Sequence, residues 1–104
     1  MKMYIKKLEN MEITKIKSYL GFAIRSNQVI YGLDNILVCK KKIHLILVSN
    51  SISDNSLEKV KALSIKKNYD YILLPVSLEE LTKRQNLKVL AITNFELAKA
   101  IKNS

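Results

Sequence analysis

Two short polar stretches hold most of the chemistry this chain can offer. One lies in VIYGLDNIL (29–37), where Gly32, one of only two glycines, separates a β-branched and aromatic run from Asp34-Asn35. A glycine there serves either a turn that needs positive φ or a close approach of the backbone to a ligand. The Asn35 amide offers both a donor and an acceptor, whereas ionised Asp34 only accepts. The other stretch is LTKRQNLKV (81–89), a polar loop carrying Lys83, Arg84 and Lys88. A polar turn beside a basic loop is the material of a phosphate-binding cleft, provided the fold gathers both at one sheet edge.

Other chemistry has little to work with. His44 is the only histidine and Cys39 the only cysteine, so a zinc site or a Cys-His nucleophile pair lacks material. His44 at the start of a strand and Cys39 on the inner side of a helix read as structural. Glu79 and Glu80 sit in a helix first turn, where acidic residues are favoured for stability alone. With two glycines there is no phosphate loop and no dinucleotide fingerprint. No cofactor and no enzymatic activity are expected.

Composition narrows the partner. Eighteen basic residues against nine acidic ones give a net charge of +9 on 104 residues, a surface that favours anionic partners. Only two of the eighteen are arginines. Lysine supplies a mobile point charge suited to phosphate, whereas bidentate reading of guanine is mainly arginine's work, so backbone and shape recognition are favoured over base readout. Other basic residues fall in groups: Lys2, Lys6 and Lys7; Lys15, Lys17 and Arg25; Lys40, Lys41 and Lys42; and Lys66 and Lys67. A lysine run is also the ordinary make-up of a solvated face. No uninterrupted apolar run exceeds Leu45 to Val48, far short of the roughly 20 residues that span a bilayer. The N-terminus MKMYIKKLEN is basic but lacks a secretion signal's apolar core. A cytoplasmic protein with no membrane partner is expected, and the lone cysteine fits a reducing compartment.

The elements that must position these residues follow from periodicity. Ile13, Ile16, Leu20, Ala23 and Ile24 recur at helical spacing and predict an amphipathic helix over 12–27. Val29-Ile30-Tyr31 is a short strand ended by Gly32. A second helix follows, with Asp34 in its opening turn, Leu33, Ile36 and Leu37 facing inward, and Lys40-Lys41-Lys42 near its C-terminus, where cations complement the helix dipole. The runs HLILVS (44–49), YILLPV (71–76) and VLAIT (89–93) read as strands buried on both faces. Between the first two lies a helix over 55–68, with Asn55 as its candidate cap and Leu57, Val60 and Leu63 as its buried stripe. Ser77-Leu78-Glu79-Glu80 is a capping box that opens a short helix, and Thr93-Asn94-Phe95-Glu96 repeats the signal before a last helix with Leu97, Ala98 and Ile101 inward. Alternating strands and helices predict one layered α/β domain over 1–104, with its core over about 12–103, a basic segment at 1–11 and helices on both sheet faces.

Taken in order, LGFAIRSNQVIYGLDNIL, IHLILVSNSISDNS, VSLEEL and KVLAITNFELAKAI resemble the ribosomal-protein family of kink-turn RNA binders, the large-subunit "seven-Ae" and "thirty-e" type. The likeness is greatest to that family's small bacterial ribosome-associated members and spans about residues 18–101. The resemblance implies a three-layer α/β/α sandwich with a mixed four-stranded sheet and a role with structured RNA, either ribosomal or regulatory, with the ribosome as a candidate partner; a monomer is expected. It also implies a site. The family glycine falls on Gly32, the polar pair that contacts sheared G·A pairs on Asp34 and Asn35, and the basic position before the glycine on Tyr31. Val38 stands where the family has a lysine. The family's second contact, a glycine-bearing loop before the last strand, corresponds to Leu81 to Asn86, which has no glycine.

The expected RNA contacts are therefore Gly32, Asp34, Asn35, Lys40, Lys41, Lys83, Arg84 and Lys88. A second reading stays open: a protein-interaction module of ribosome assembly that keeps the fold without specific kink-turn recognition. Val38 and the glycine-free loop favour this second reading, and the charge of +9 favours the first.

Overall fold

The computed structural model describes residues 13–103. The expected basic segment at 1–11 and the expected helix start at Glu12 lie outside the described residues. The chain runs α1 (Ile13–Arg25), β1 (Val29–Tyr31), α2 (Leu33–Val38), β2 (Leu45–Val48), α3 (Asp54–Lys67), β3 (Tyr71–Leu73), α4 (Leu78–Thr82), β4 (Val89–Ile92) and α5 (Phe95–Lys102). The sheet order is β1-β4-β2-β3. β4 pairs antiparallel with both β1 and β2, and β2 pairs parallel with β3. The sheet is thus mixed: β1, β2 and β3 share a direction, and β4 runs against them.

The near-continuous apolar strands are explained by cover on both faces. Leu45 and Leu47 of β2 and Leu90 and Ile92 of β4 point into one core with Ile16, Leu20 and Ala23 of α1, Leu78 of α4, and Ala98 and Ile101 of α5. The alternate residues Ile46, Val48, Val89 and Ala91 enter a second core with Ile36 of α2 and Val60 and Leu63 of α3. Period-two side-chain alternation therefore splits each strand between two helical layers, which gives the three-layer α/β/α sandwich.

Several boundaries differ from expectation. α1 stops at Arg25 because Asn27 adopts left-handed φ of 57°, while the Gln28 N–H donates to the Ala23 carbonyl and the Asn27 N–H to that of Ile24, a Schellman closure. α3 is capped by Ser53, whose side chain accepts from the Ser56 N–H, and not by Asn55. α5 is capped by Asn94 and not by Thr93; Ser77 caps α4 as expected. The largest correction concerns α2, which ends at Val38 with Cys39 already extended, so Lys40 to Lys42 lie beyond it and do not meet its dipole. Leu37 is exposed instead of inward. A helix this short climbs about 9 Å at 1.5 Å per residue, and the extended segment that follows carries the chain on to the start of β2.

Candidate functional site

Because β1, β2 and β3 run the same way, the segments that leave their ends collect at one sheet edge, where β4 also begins. The β1–α2 turn, the connections after β2 and β3, and the α4–β4 loop all meet there. Gly32 joins two regular elements: its N–H donates to the Val89 carbonyl at 2.9 Å, and its carbonyl accepts the first helical bond, from the Ile36 N–H, at 3.1 Å. To do both it adopts φ 83°, ψ 148°, a region close to glycine-only. A Cβ on Gly32 would meet no atom within 4 Å. The glycine is therefore needed for its backbone angles, and the space beside it is open.

The turn and the basic loop do come together. The Arg84 guanidinium lies 3.7 Å from the centroid of the Tyr31 ring, a cation–π contact, and Tyr31 also packs against the first core. Tyr31 thus anchors the loop. The Asn35 Nδ2 donates to the Tyr31 carbonyl at 2.8 Å, so part of its amide is spent on holding the turn. Asp34, Asn35, Lys83 and Arg84 are all exposed. An open groove of about 330 Å³ runs along Glu79 and Lys83 to Asn86.

Lys88 is placed differently. Its Nζ donates to both Glu79 carboxylate oxygens at 3.2 Å and to Ser51 Oγ at 2.9 Å. Ser51 Oγ in turn donates to Glu79 Oε1, and the Asn86 N–H donates to Glu79 Oε2. Beneath them the buried Ser49 Oγ accepts the Leu78 N–H and bonds Ser51 Oγ. Asn50 donates its side-chain amide to the Pro75 carbonyl. The Lys88 hydrogen bond holds the Glu79 carboxyl below its ordinary value; partial burial opposes it, and the Ser51 bond, the Lys88 charge and the Asn86 N–H reinforce it. Lys88 is a brace that positions the loop, with its charge answered by Glu79.

The expected site is therefore only partly assembled. Gly32, Asp34, Asn35, Lys83, Arg84 and Lys88 share one edge, while Lys40 and Lys41 lie on the connection that leads to the opposite edge. Sequence reading missed Ser49, Asn50, Ser51 and the bracing role of Glu79. The signal in the sequence was the polar triplet Ser49-Asn50-Ser51 directly after an apolar strand. Among the described residues no group of three or more His, Cys, Asp or Glu could hold a metal ion, and no helix is long and apolar enough to cross a membrane.

No protein-family model matches the chain, and the search of curated proteins gives no match. A solved structure, that of a protein with unknown function from Bacillus halodurans C, is similar with a TM-score of 0.76 at 15% identity, covering 86% of this chain and 94% of that one. At that identity the likeness is one of fold.

Proposed function

We propose that the protein is a non-enzymatic, cofactor-free, cytoplasmic RNA-binding monomer that recognises structured, kink-turn-like RNA of ribosomal or regulatory origin. The observation that carries this reading is the meeting of the Gly32 turn with the 83–88 loop, tied by Arg84 over Tyr31. Open space beside Gly32 suits a ligand backbone at close range. The exposed Lys83 and Arg84 can neutralise phosphates, and the Asn35 oxygen and remaining N–H can meet a base edge. The resemblance to the kink-turn binders adds to these features. The test is filter binding to a kink-turn RNA and a matched linear duplex across a salt series. Preference for the kinked RNA with a steep salt slope supports the reading; equal, salt-insensitive binding overturns it.

A second reading is favoured by one observation: Val38, where the resembled family has lysine, is 75% exposed beside the exposed Leu37. That apolar pair suits a protein-interaction module of ribosome assembly. In the same binding assay this reading predicts no preference between RNAs, and Val38→Lys would leave RNA binding unchanged.

A further inference from the structure

The opposite sheet edge carries a separate cleft. There the segment entering β2, the segment entering β3 and α5 enclose a cleft of about 290 Å³ whose walls include Lys42, His44, Asp70, Phe95, Lys99 and Lys102. This volume is near the lower end for small-ligand sites. Three lysines face one carboxylate. Asp70 is paired with Lys102 at 2.7 Å, whereas Lys42 and Lys99 are exposed and make no ion pair among the described residues. An aromatic wall stands beside them: Phe95 is 56% exposed, and its ring meets His44 edge-on, centroids 5.6 Å apart at 73°. Phe95 thus presents much of its ring to the cleft that Lys42 and Lys99 also line.

We infer that this cleft takes one phosphorylated nucleotide unit, its base stacked on Phe95 and its phosphate between Lys42 and Lys99. Cationic grooves with exposed aromatics bind unpaired nucleotides in this way, largely without sequence preference. The unit can come from a free mononucleotide or from an unpaired end of an RNA strand, and the chemistry is the same. The inference stands on this cleft alone and does not rest on the kink-turn reading of the other edge.

His44 makes the site readable, because the only histidine in the chain forms part of its wall. Burial first, then the charges of Lys42 and Lys102, hold its imidazole below the ordinary value; Lys99, Asp70 and Tyr69 are the other ionisable groups lining the cleft. A bound phosphate offsets the lysine charges and must raise the His44 titration midpoint. The experiment follows the His44 ring resonance by NMR in the full chain, titrated with AMP, inorganic phosphate, and a short single-stranded oligonucleotide. The expected result is a saturable shift with AMP, a raised midpoint, and weaker binding of inorganic phosphate. Phe95→Leu should weaken AMP roughly fivefold or more, as stacking energies require, with inorganic phosphate unchanged. Lys42→Met with Lys99→Met should weaken both. Tighter binding of the oligonucleotide than of AMP assigns the unit to an RNA strand, and the reverse order assigns it to a free nucleotide. A His44 resonance unmoved by millimolar AMP, or AMP binding indifferent to Phe95→Leu in a folded variant, overturns the inference.

Discussion

The two edges of the sheet divide shape from charge. Where β1, β2 and β3 end, Lys83, Arg84 and Lys88 share the edge with Asp34, Glu79 and Glu80, and Lys88 is bound directly to Glu79. With Asp54 at the start of α3, the carboxylates there are no fewer than the cations, and hydrogen bonds from Ser51 and Asn86 tie the loops into one unit. At the other edge the cleft is lined by Lys42, Lys99 and Lys102 with one carboxylate among the described residues, Asp70, and Lys66 and Lys67 end α3 on the same side. The net charge of +9 is thus not concentrated at the edge with the organised loops. On the proposed function, an ordered edge with its charges answered recognises by geometry, through Gly32, Asn35 and Arg84; on the cleft inference, the cationic edge takes phosphate with little demand on sequence or shape.

The strongest way to break this division is at Gly32. Gly32→Val forces a β-branched residue into φ 83°, which should cost about 1–3 kcal/mol of stability in denaturant unfolding and abolish any preference for kinked RNA, while AMP binding at His44 persists in the folded fraction. A loss below about 0.5 kcal/mol, the range of an ordinary surface change, would mean that the turn tolerates other residues.

Asn35→Ala sharpens the comparison further. Losing the exposed bond to the Tyr31 carbonyl should cost at most about 1 kcal/mol of stability, whereas losing a base-edge interaction should cost roughly 1–3 kcal/mol of affinity for kinked RNA and little for a plain duplex. Equal weakening of both would remove Asn35 from base recognition. By contrast, Lys40, Lys41 and Lys42 replaced together by Ala should weaken all RNAs about equally, with the salt slope on duplex falling by roughly 0.9 for each phosphate that the protein no longer neutralises.

The Glu79 brace gives a pH test. Its carboxyl lies below its ordinary value of 4.5 in the folded state, so its stabilisation is present above that value and disappears as pH falls through the lowered one. Glu79→Gln should therefore reduce the stability difference between neutral and acid conditions, as read from unfolding midpoints; an unchanged difference would show that the brace adds nothing. The smallest effect is expected from Val38→Lys. At a position 75% exposed it should alter stability by no more than about 0.5 kcal/mol and, on the RNA reading, tighten binding to kinked RNA.

Much of the fold was legible because the strands are covered on both faces. LILV and VLAI read as buried strands for the reason seen in the two cores, and the stripes Ile16-Leu20-Ala23 and Val60-Leu63 named the inward helix faces. Caps were less legible where capping residues compete. In ISDNS, Ser53, Asp54, Asn55 and Ser56 are all cap formers, and Ser53 takes the role. Left-handed closures were hidden too, since Asn27, Asn68, Asn86 and Lys83 take positive φ in a chain with almost no glycine to mark them. The site was half legible. Gly32, Asn35 and Arg84 stand at one edge as expected, but the Glu79–Lys88 pair depends on loop closure, and the cleft of Lys42, Asp70 and Lys99 on three separate elements, so neither has a local signature.

The most direct measurement is backbone amide chemical-shift mapping of the full chain titrated with a kink-turn RNA. The expected result is that Gly32, Asn35 and the amides of 83–86 move first and furthest, with the same titration using a linear duplex leaving them nearly still. Shifts confined to 42–44 and 95–102 for both RNAs, with the Gly32 and Asn35 amides unmoved, would contradict the assignment of recognition to the ordered edge.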